Sequence, residues 1–200
     1  LYGTLGIKAW LAVIIYLLLG SLVTKLGFKK KHKDGIAESR GGRRGPENVW
    51  GSSATGAFLA LLTTLDFFNN EIILLGFATS FIAKLGDTFG SEIGKRWGRN
   101  TYLITSFEKV KAGTDGAISL EGTLATFLGA FIMTNVMYFL GYLTSLSYFI
   151  IALTSGFFAT IMESFLGAFA QKRYLFLTNE FVNSLQTTFA ALLAISIAIL

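Results

Sequence analysis

The chain has 200 residues, 52% of them hydrophobic and 14% charged, with a formal net charge of +5 and a mean hydropathy of +0.59. So little charge and such long apolar blocks exclude an ordinary soluble domain, and the chain reads as one all-α, polytopic transmembrane helix bundle over residues 1–200. With no cysteine, disulfides and thiolate metal sites are excluded, and a single histidine argues against histidine-based zinc or haem chemistry.

Six blocks are long enough to span, at 6–27, 51–67, 70–95, 122–144, 147–170 and 180–200. The connections near 66–70 and 144–145 are short and carry no Lys or Arg. The polar connections 28–50, 96–121 and 171–179 hold the basic residues: Lys29, Lys30, Lys31, Lys33, Arg40, Arg43 and Arg44, then Arg96, Arg99, Lys109 and Lys111, then Lys172 and Arg173. Six spans put these three loops on one side, and the positive-inside rule makes that side cytoplasmic. "KKKHK" (29–33) is read as setting this topology and touching anionic lipid, with His32 solvated.

In the first polar loop, "ESRGGRRGPENVWGSSATG" (38–56) offers Arg40, Arg43 and Arg44 as bidentate phosphate ligands, with Asn48 close behind. Trp50 suits an interfacial anchor. The third block is unusual for a span: Lys84, Asp87, Thr88, Ser91, Glu92 and Lys95 fall on one helical face, and Gly86, Gly90, Gly94 and Gly98 recur every four residues. Small residues at that spacing let a neighbouring helix approach closely. Charges inside a membrane are costly and mark function, although a Lys–Asp pair packed for structure alone is the plain alternative.

The loop "KVKAGTDGAISLEGTLATF" (109–127) has a turn signal at Gly113-Thr114-Asp115-Gly116, with "TYLITSF" (101–107) and "GAIS" (116–119) as arms of a short β-hairpin. Ser119, Glu121, Gly122 and Thr123 then lead into the fourth span. Glycines and hydroxyls before a helix N-terminus offer N–H groups to an anion, with Lys109 and Lys111 supplying charge; ordinary N-capping by Ser119 explains part of the same pattern. In the fifth block Thr160, Glu163, Ser164, Gly167 and Gln171 share a face, and the sixth opens with Asn179, Asn183 and Gln186 in a polar stripe, Thr178 serving as cap. Three carboxylates, Asp87, Glu92 and Glu163, thus gather at one end of the bundle, a donor set suited to Mg²⁺ bridging phosphates.

"RRGPENVWGS", "DTFGSEIG", "KAGTDGAISLEGT" and "ESFLGAFAQ…TNEFVN", in this order over about residues 25–186, resemble the integral membrane family of phytyl-phosphate kinases, and more distantly the phytol and dolichol kinases. The resemblance implies transfer of a phosphoryl group from CTP or another nucleoside triphosphate, with Mg²⁺, to phytyl phosphate in a cyanobacterial or plastid membrane. In the distant resemblance Asp87, Gly94 and Gly98 match one motif and "SLEG" (119–122) the other. Taken with the polar faces and loops above, the reading makes Asp87, Glu92 and Glu163 the catalytic and metal-binding residues and gives phosphate contacts to Arg43, Arg44, Asn48, Lys84, Ser91, Lys111, Gly113, Thr114, Gly116, Ser119, Gly122, Thr123, Asn179 and Asn183. Ile118 stands where many dolichol kinases have lysine, so Lys111, Lys84 or Arg43 would neutralise the transferred phosphate. It also implies further hydrophobic sequence ahead of Leu1. A kinase of the free isoprenoid alcohol, a cytidylyltransferase releasing pyrophosphate, and an ion-coupled transporter using Lys84, Asp87 and Glu163 are the competing functions.

Overall fold

The computed structural model describes residues 1–42, 46–65, 69–171 and 178–200, with backbone alone at 39–40, 46–48, 52 and 170–171. Arg43 and Arg44 lie outside the described residues, as does the side chain of Asn48. The elements are α1 (Tyr2–Lys25), α2 (Phe28–Lys33), α3 (Ser39–Gly42), α4 (Pro46–Leu62), α5 (Asn70–Trp97), β1 (Tyr102–Leu103), β2 (Ala117–Ile118), α6 (Leu120–Phe139), α7 (Leu146–Leu166) and α8 (Asn179–Ile199), with one π-helical turn, Gly167–Gln171, prolonging α7.

Among the described residues five helices, α1, α5, α6, α7–π and α8, are long and apolar enough to cross a membrane. The sixth expected span is the 17-residue α4, about 26 Å at the α-helical rise. It begins at Pro46, not at residue 51, and is over by Leu62. Proline at the first helical position loses no intrahelical hydrogen bond, and its fixed φ starts the helix early.

α5 is the axle of the bundle. It packs against α1, α4, α6, α7 and α8, and its middle is buried without a break from Leu75 to Gly86. In lipid there is no hydrophobic gain in burying leucine, so polar and small residues turn inward and large apolar ones outward. The chain follows that rule in part, since Leu75, Phe77, Phe81, Ile82 and Leu85 of α5 also fill the core. Leu18, Leu22, Leu124, Leu128, Phe158 and Leu192 are exposed, whereas Thr79, Ser80, Lys84, Thr134, Asn183 and Gln186 are buried.

The spaced glycines set how close α5 comes to α6. A methyl group on Gly90 would strike the Thr126 hydroxyl and sit 3.2 Å from the Gly122 carbonyl; one on Gly86 would sit 3.1 Å from the Thr126 carbonyl. Gly56 on α4 and Gly156 on α7 make room for Phe81 and Ile82 of α5 in the same way.

The hairpin is much shorter than its two expected arms. β1 and β2 are two residues each, antiparallel, with Tyr102 opposite Ile118 and Leu103 opposite Ala117. The chain between them turns back on itself instead of extending the ladder: Phe107 adopts a left-handed φ of 56°, the Leu103 N–H donates to the Glu108 carbonyl and Ile104 N–H to that of Gly116.

Candidate functional site

At the end of the bundle that carries α2, the hairpin and the start of α8, a polar cavity of about 210 Å³ opens between helices. Each wall has a local reason to be there. α5 contributes Lys84, Asp87, Thr88, Ser91, Glu92 and Lys95, which helical periodicity places on one face. α6 contributes its N-terminus, where Ser119 caps the helix by accepting from the Gly122 N–H at 3.1 Å. The turn 112–117 lies across the opening, with Gly113 and Gly116 at φ of 87° and 72°. α7 brings Thr160, Glu163 and Ser164, and α8 brings Asn179 and Asn183.

Most of the expected site residues therefore meet. Asp87, Glu92, Glu163, Lys84, Ser91, Gly113, Thr114, Gly116, Ser119, Gly122, Thr123, Asn179 and Asn183 all line this one cavity. Lys111 does not: it is exposed, and its carbonyl accepts from both the N–H and the hydroxyl of Thr114, at 3.2 and 2.8 Å.

Lys84 forms the floor. It is 3% exposed and donates to Asp87 Oδ2 at 2.6 Å and to Asn183 Oδ1 at 2.7 Å, tying α5 to α8. Below it the Gln186 amide donates to the Ala83 carbonyl at 3.4 Å and to the Thr160 hydroxyl at 3.3 Å, joining α7 to the same point. Asn183 and Gln186 thus do more than continue a helix cap, while Thr178 keeps that plainer role, accepting from the Phe181 N–H at 3.3 Å. A buried ammonium must be paired to be tolerated, and this one is paired twice.

The three carboxylates do not converge as one ligand group. Among the described residues no cluster of three or more His, Cys, Asp or Glu side chains is placed to hold a metal ion. Glu92 is the reason: it is 2% exposed, its Oε2 is paired with the Lys31 ammonium and its Oε1 lies 3.7 Å from that of Lys95. Asp87 is paired as well, its Oδ2 accepting from Lys84, but it lines the cavity with Glu163, Asp115 and Lys95. As a donor set, two carboxylates beside a polar opening fit Mg²⁺, which takes one or two carboxylates and keeps waters for phosphate oxygens.

Sequence reasoning missed Lys31. It sits in a run of lysines that reads as solvated, yet it is 1% exposed and also donates to the Thr24 carbonyl at 2.8 Å, one of the unpaired carbonyls ending α1. No local signal marks it, because the partner that buries the lysine is 61 residues away. Glu38 was missed as well; it accepts from Lys95 at 2.9 Å and closes the cavity from the first loop. His32 is exposed, as expected, beside the Phe28 ring.

The cavity is made from stretches far apart in the chain, so likeness to other proteins has to hold along the whole length to bear on it, and it does. The chain is 43% identical over 198 residues to the uncharacterized membrane protein sll0875 of Synechocystis sp., covering 98% of this chain and 76% of that protein. It is 40% identical over 199 residues to Protein VTE6, chloroplastic, of Arabidopsis thaliana, covering 97% of this chain and 59% of that protein. It is 32% identical over 192 residues to the uncharacterized membrane protein MJ0933 of Methanocaldococcus jannaschii, covering 96% of this chain and 77% of that protein. No solved structure matches. A model of one family, described as integral membrane protein DUF92, matches residues 1–191, the span that holds every wall of the cavity, and the chain belongs to that integral membrane family.

Proposed function

We propose that this protein transfers the terminal phosphoryl group of CTP, or of another nucleoside triphosphate, to phytyl phosphate, giving phytyl diphosphate. An oxygen of the lipid phosphate forms the new P–O bond, the bond between the γ-phosphorus and the β,γ-bridging oxygen breaks, and the nucleoside diphosphate leaves. The acceptor is already an anion, so no general base has to deprotonate it.

One observation carries the proposal: a helix N-terminus, a glycine turn, the carboxylates Asp87 and Glu163 among five, and the lysines Lys84 (buried) and Lys95 (half-buried) line one cavity at the end of a transmembrane bundle. Phosphoryl transfer asks for positioning and charge neutralisation more than for covalent chemistry. The N-terminus of α6 presents N–H groups and the positive end of its dipole to an anion. Lys84 and Lys95 supply fixed positive charge, and Ser91, Thr114 and Thr123 supply hydroxyls. Asp87 and Glu163 would hold Mg²⁺, which bound there neutralises charge on the phosphates. Glu92 then acts through others, holding Lys31 and Lys95 in place. Arg43, Arg44 and Asn48 remain candidates for phosphate contact from the first loop. The motif resemblance supports the isoprenoid acceptor, and the likeness to VTE6 supports a plastid-type membrane. The concentration of Lys and Arg at this end supports a cytoplasmic-side site.

The test is product analysis with purified protein, Mg²⁺, each nucleoside triphosphate in turn, and phytyl phosphate beside phytol. Phytyl diphosphate with release of nucleoside diphosphate is the expected result. Phosphorylation of phytol alone would make the enzyme an alcohol kinase, and release of pyrophosphate a nucleotidyltransferase. Asp87→Asn should lower kcat by about a hundredfold or more, and a variant near wild-type turnover would remove Asp87 from the metal site.

A further inference from the structure

A second cavity, of about 640 Å³, runs between α7 and α8. Its lining is almost wholly apolar: Phe158, Ile161 and Phe165 from α7 face Phe189, Leu193 and Ile197 from α8. Three features tie it to the polar site. Ile161 lines both cavities. On α7 the polar-site residues Thr160 and Ser164 are each followed directly by a groove residue, Ile161 and Phe165. And the groove leads away from the polar end: α7 runs toward that end and α8 away from it, so Phe165 lies near the phosphate site, and Thr154 and Ile197 at the far limit. From Thr154 to Phe165 the helix rises about 16 Å, roughly half the hydrocarbon thickness. Phe158, Phe165, Phe189 and Ile197 are exposed, so the groove is open sideways to lipid.

Accepting phosphotransfer to a lipid phosphate as described above, we propose that the α7–α8 groove is the subsite for the single isoprenoid chain of that lipid, entered laterally from the bilayer. We further assign Ser155, at its far end, as the residue that sets how long a chain is accepted. The join at Ile161 puts the lipid phosphate in the polar cavity and its first chain carbons against Ile161 and Phe165. Phe158, Phe189 and Leu193 cover the middle. Ser155 is 1% exposed, and its hydroxyl has no hydrogen-bond partner among the described residues. A buried hydroxyl without a partner costs stability, and a packing position in a membrane helix is served as well by alanine. What Ser155 and Thr154 share is small size where the groove needs depth.

The test uses a C20 isoprenoid monophosphate with a diazirine at the chain terminus, photolysed with the full chain in nanodiscs and mapped by mass spectrometry. Adducts should fall in 154–165 and 189–197, and excess phytyl phosphate should displace them where phosphatidic acid does not. Adducts spread over the lipid faces of α1 and α6, displacement by phosphatidic acid, or no adduct above background would each overturn the groove. Ser155→Phe should lower the C20 adduct and shift the kcat/KM ratio of C20 to C10 isoprenoid phosphates by about tenfold. An unchanged ratio removes Ser155 as the length determinant. The mapping does not depend on turnover. Groove adducts without any phosphorylated product would sink the kinase and leave the groove; product with adducts elsewhere would do the reverse.

Discussion

Lys31 and Glu92 are buried at 1% and 2% exposure, one from the basic run after α1 and the other from the polar face of α5. Two charges taken out of water are tolerated only when paired, and removing Lys31 leaves Glu92 with only the more distant Lys95 ammonium, at 3.7 Å, at a cost of up to about 3–5 kcal/mol. Lys31→Met should therefore destabilise the detergent-solubilised protein by roughly that amount, read as a fall in Tm. Adding Glu92→Gln should recover much of the loss, because no unpaired charge then remains buried. If Lys31→Met leaves Tm unchanged, the pair is not formed in the membrane protein. The same comparison separates structure from chemistry: the double variant should regain stability without regaining turnover, since Lys95 loses the carboxylate that helps to hold it. That Lys31 is a structural residue was not legible in "KKKHK", where every lysine has the same local context. Its burial is decided by where Glu92 comes to lie, and that is a tertiary fact.

At the scale of elements, periodicity carried the reading where it had enough residues to work on. The α5 face from Lys84 to Lys95 and the glycines at 86, 90 and 94 are repeats of a helix, and the structure puts them against the cavity and α6 respectively. Periodicity gave much less for the loop 101–119, whose two strands are two residues each and whose path is set by turns. What the sequence did offer there was glycine. Gly116 has φ of 72°, and a methyl group on it would collide with the backbone of Ala168 in the π turn after α7. Backbone cannot step aside as a side chain can, so Gly116→Ala must dislodge the turn from α7. Amide exchange over 112–117 should then speed up markedly, turnover should fall, and the far-ultraviolet helical signal should be unchanged. Exchange like that of the wild type in this segment would mean that the turn does not close over the cavity. The early start of α4 was less accessible: its helix begins at Pro46 in a polar stretch, and hydropathy places a span where the apolar run begins.

For the whole molecule the decisive quantity is which side of the membrane the cavity faces. The polar ends of α5, α7 and α8 and the hairpin share one end of the bundle, and α2 with its lysines is at that end too. The opposite end holds the uncharged link between α6 and α7, where Thr144 is exposed. A bilayer with an anionic cytoplasmic leaflet favours the basic end inside, and a nucleoside triphosphate donor is available only there. The chain has no cysteine, so single cysteines report without background. His32→Cys and Lys109→Cys, at exposed positions on the basic end, should resist a membrane-impermeant maleimide in intact cells and react after permeabilisation. Thr144→Cys should react in both. The reverse pattern would turn the cavity away from the nucleotide pool, and no arrangement of Asp87, Glu163 and Lys84 within it could then rescue a CTP-dependent kinase. Labelling of Thr144→Cys and His32→Cys from the same side would instead break the odd count of three crossings between them, α4, α5 and α6, and with it the role of α4 as a full span.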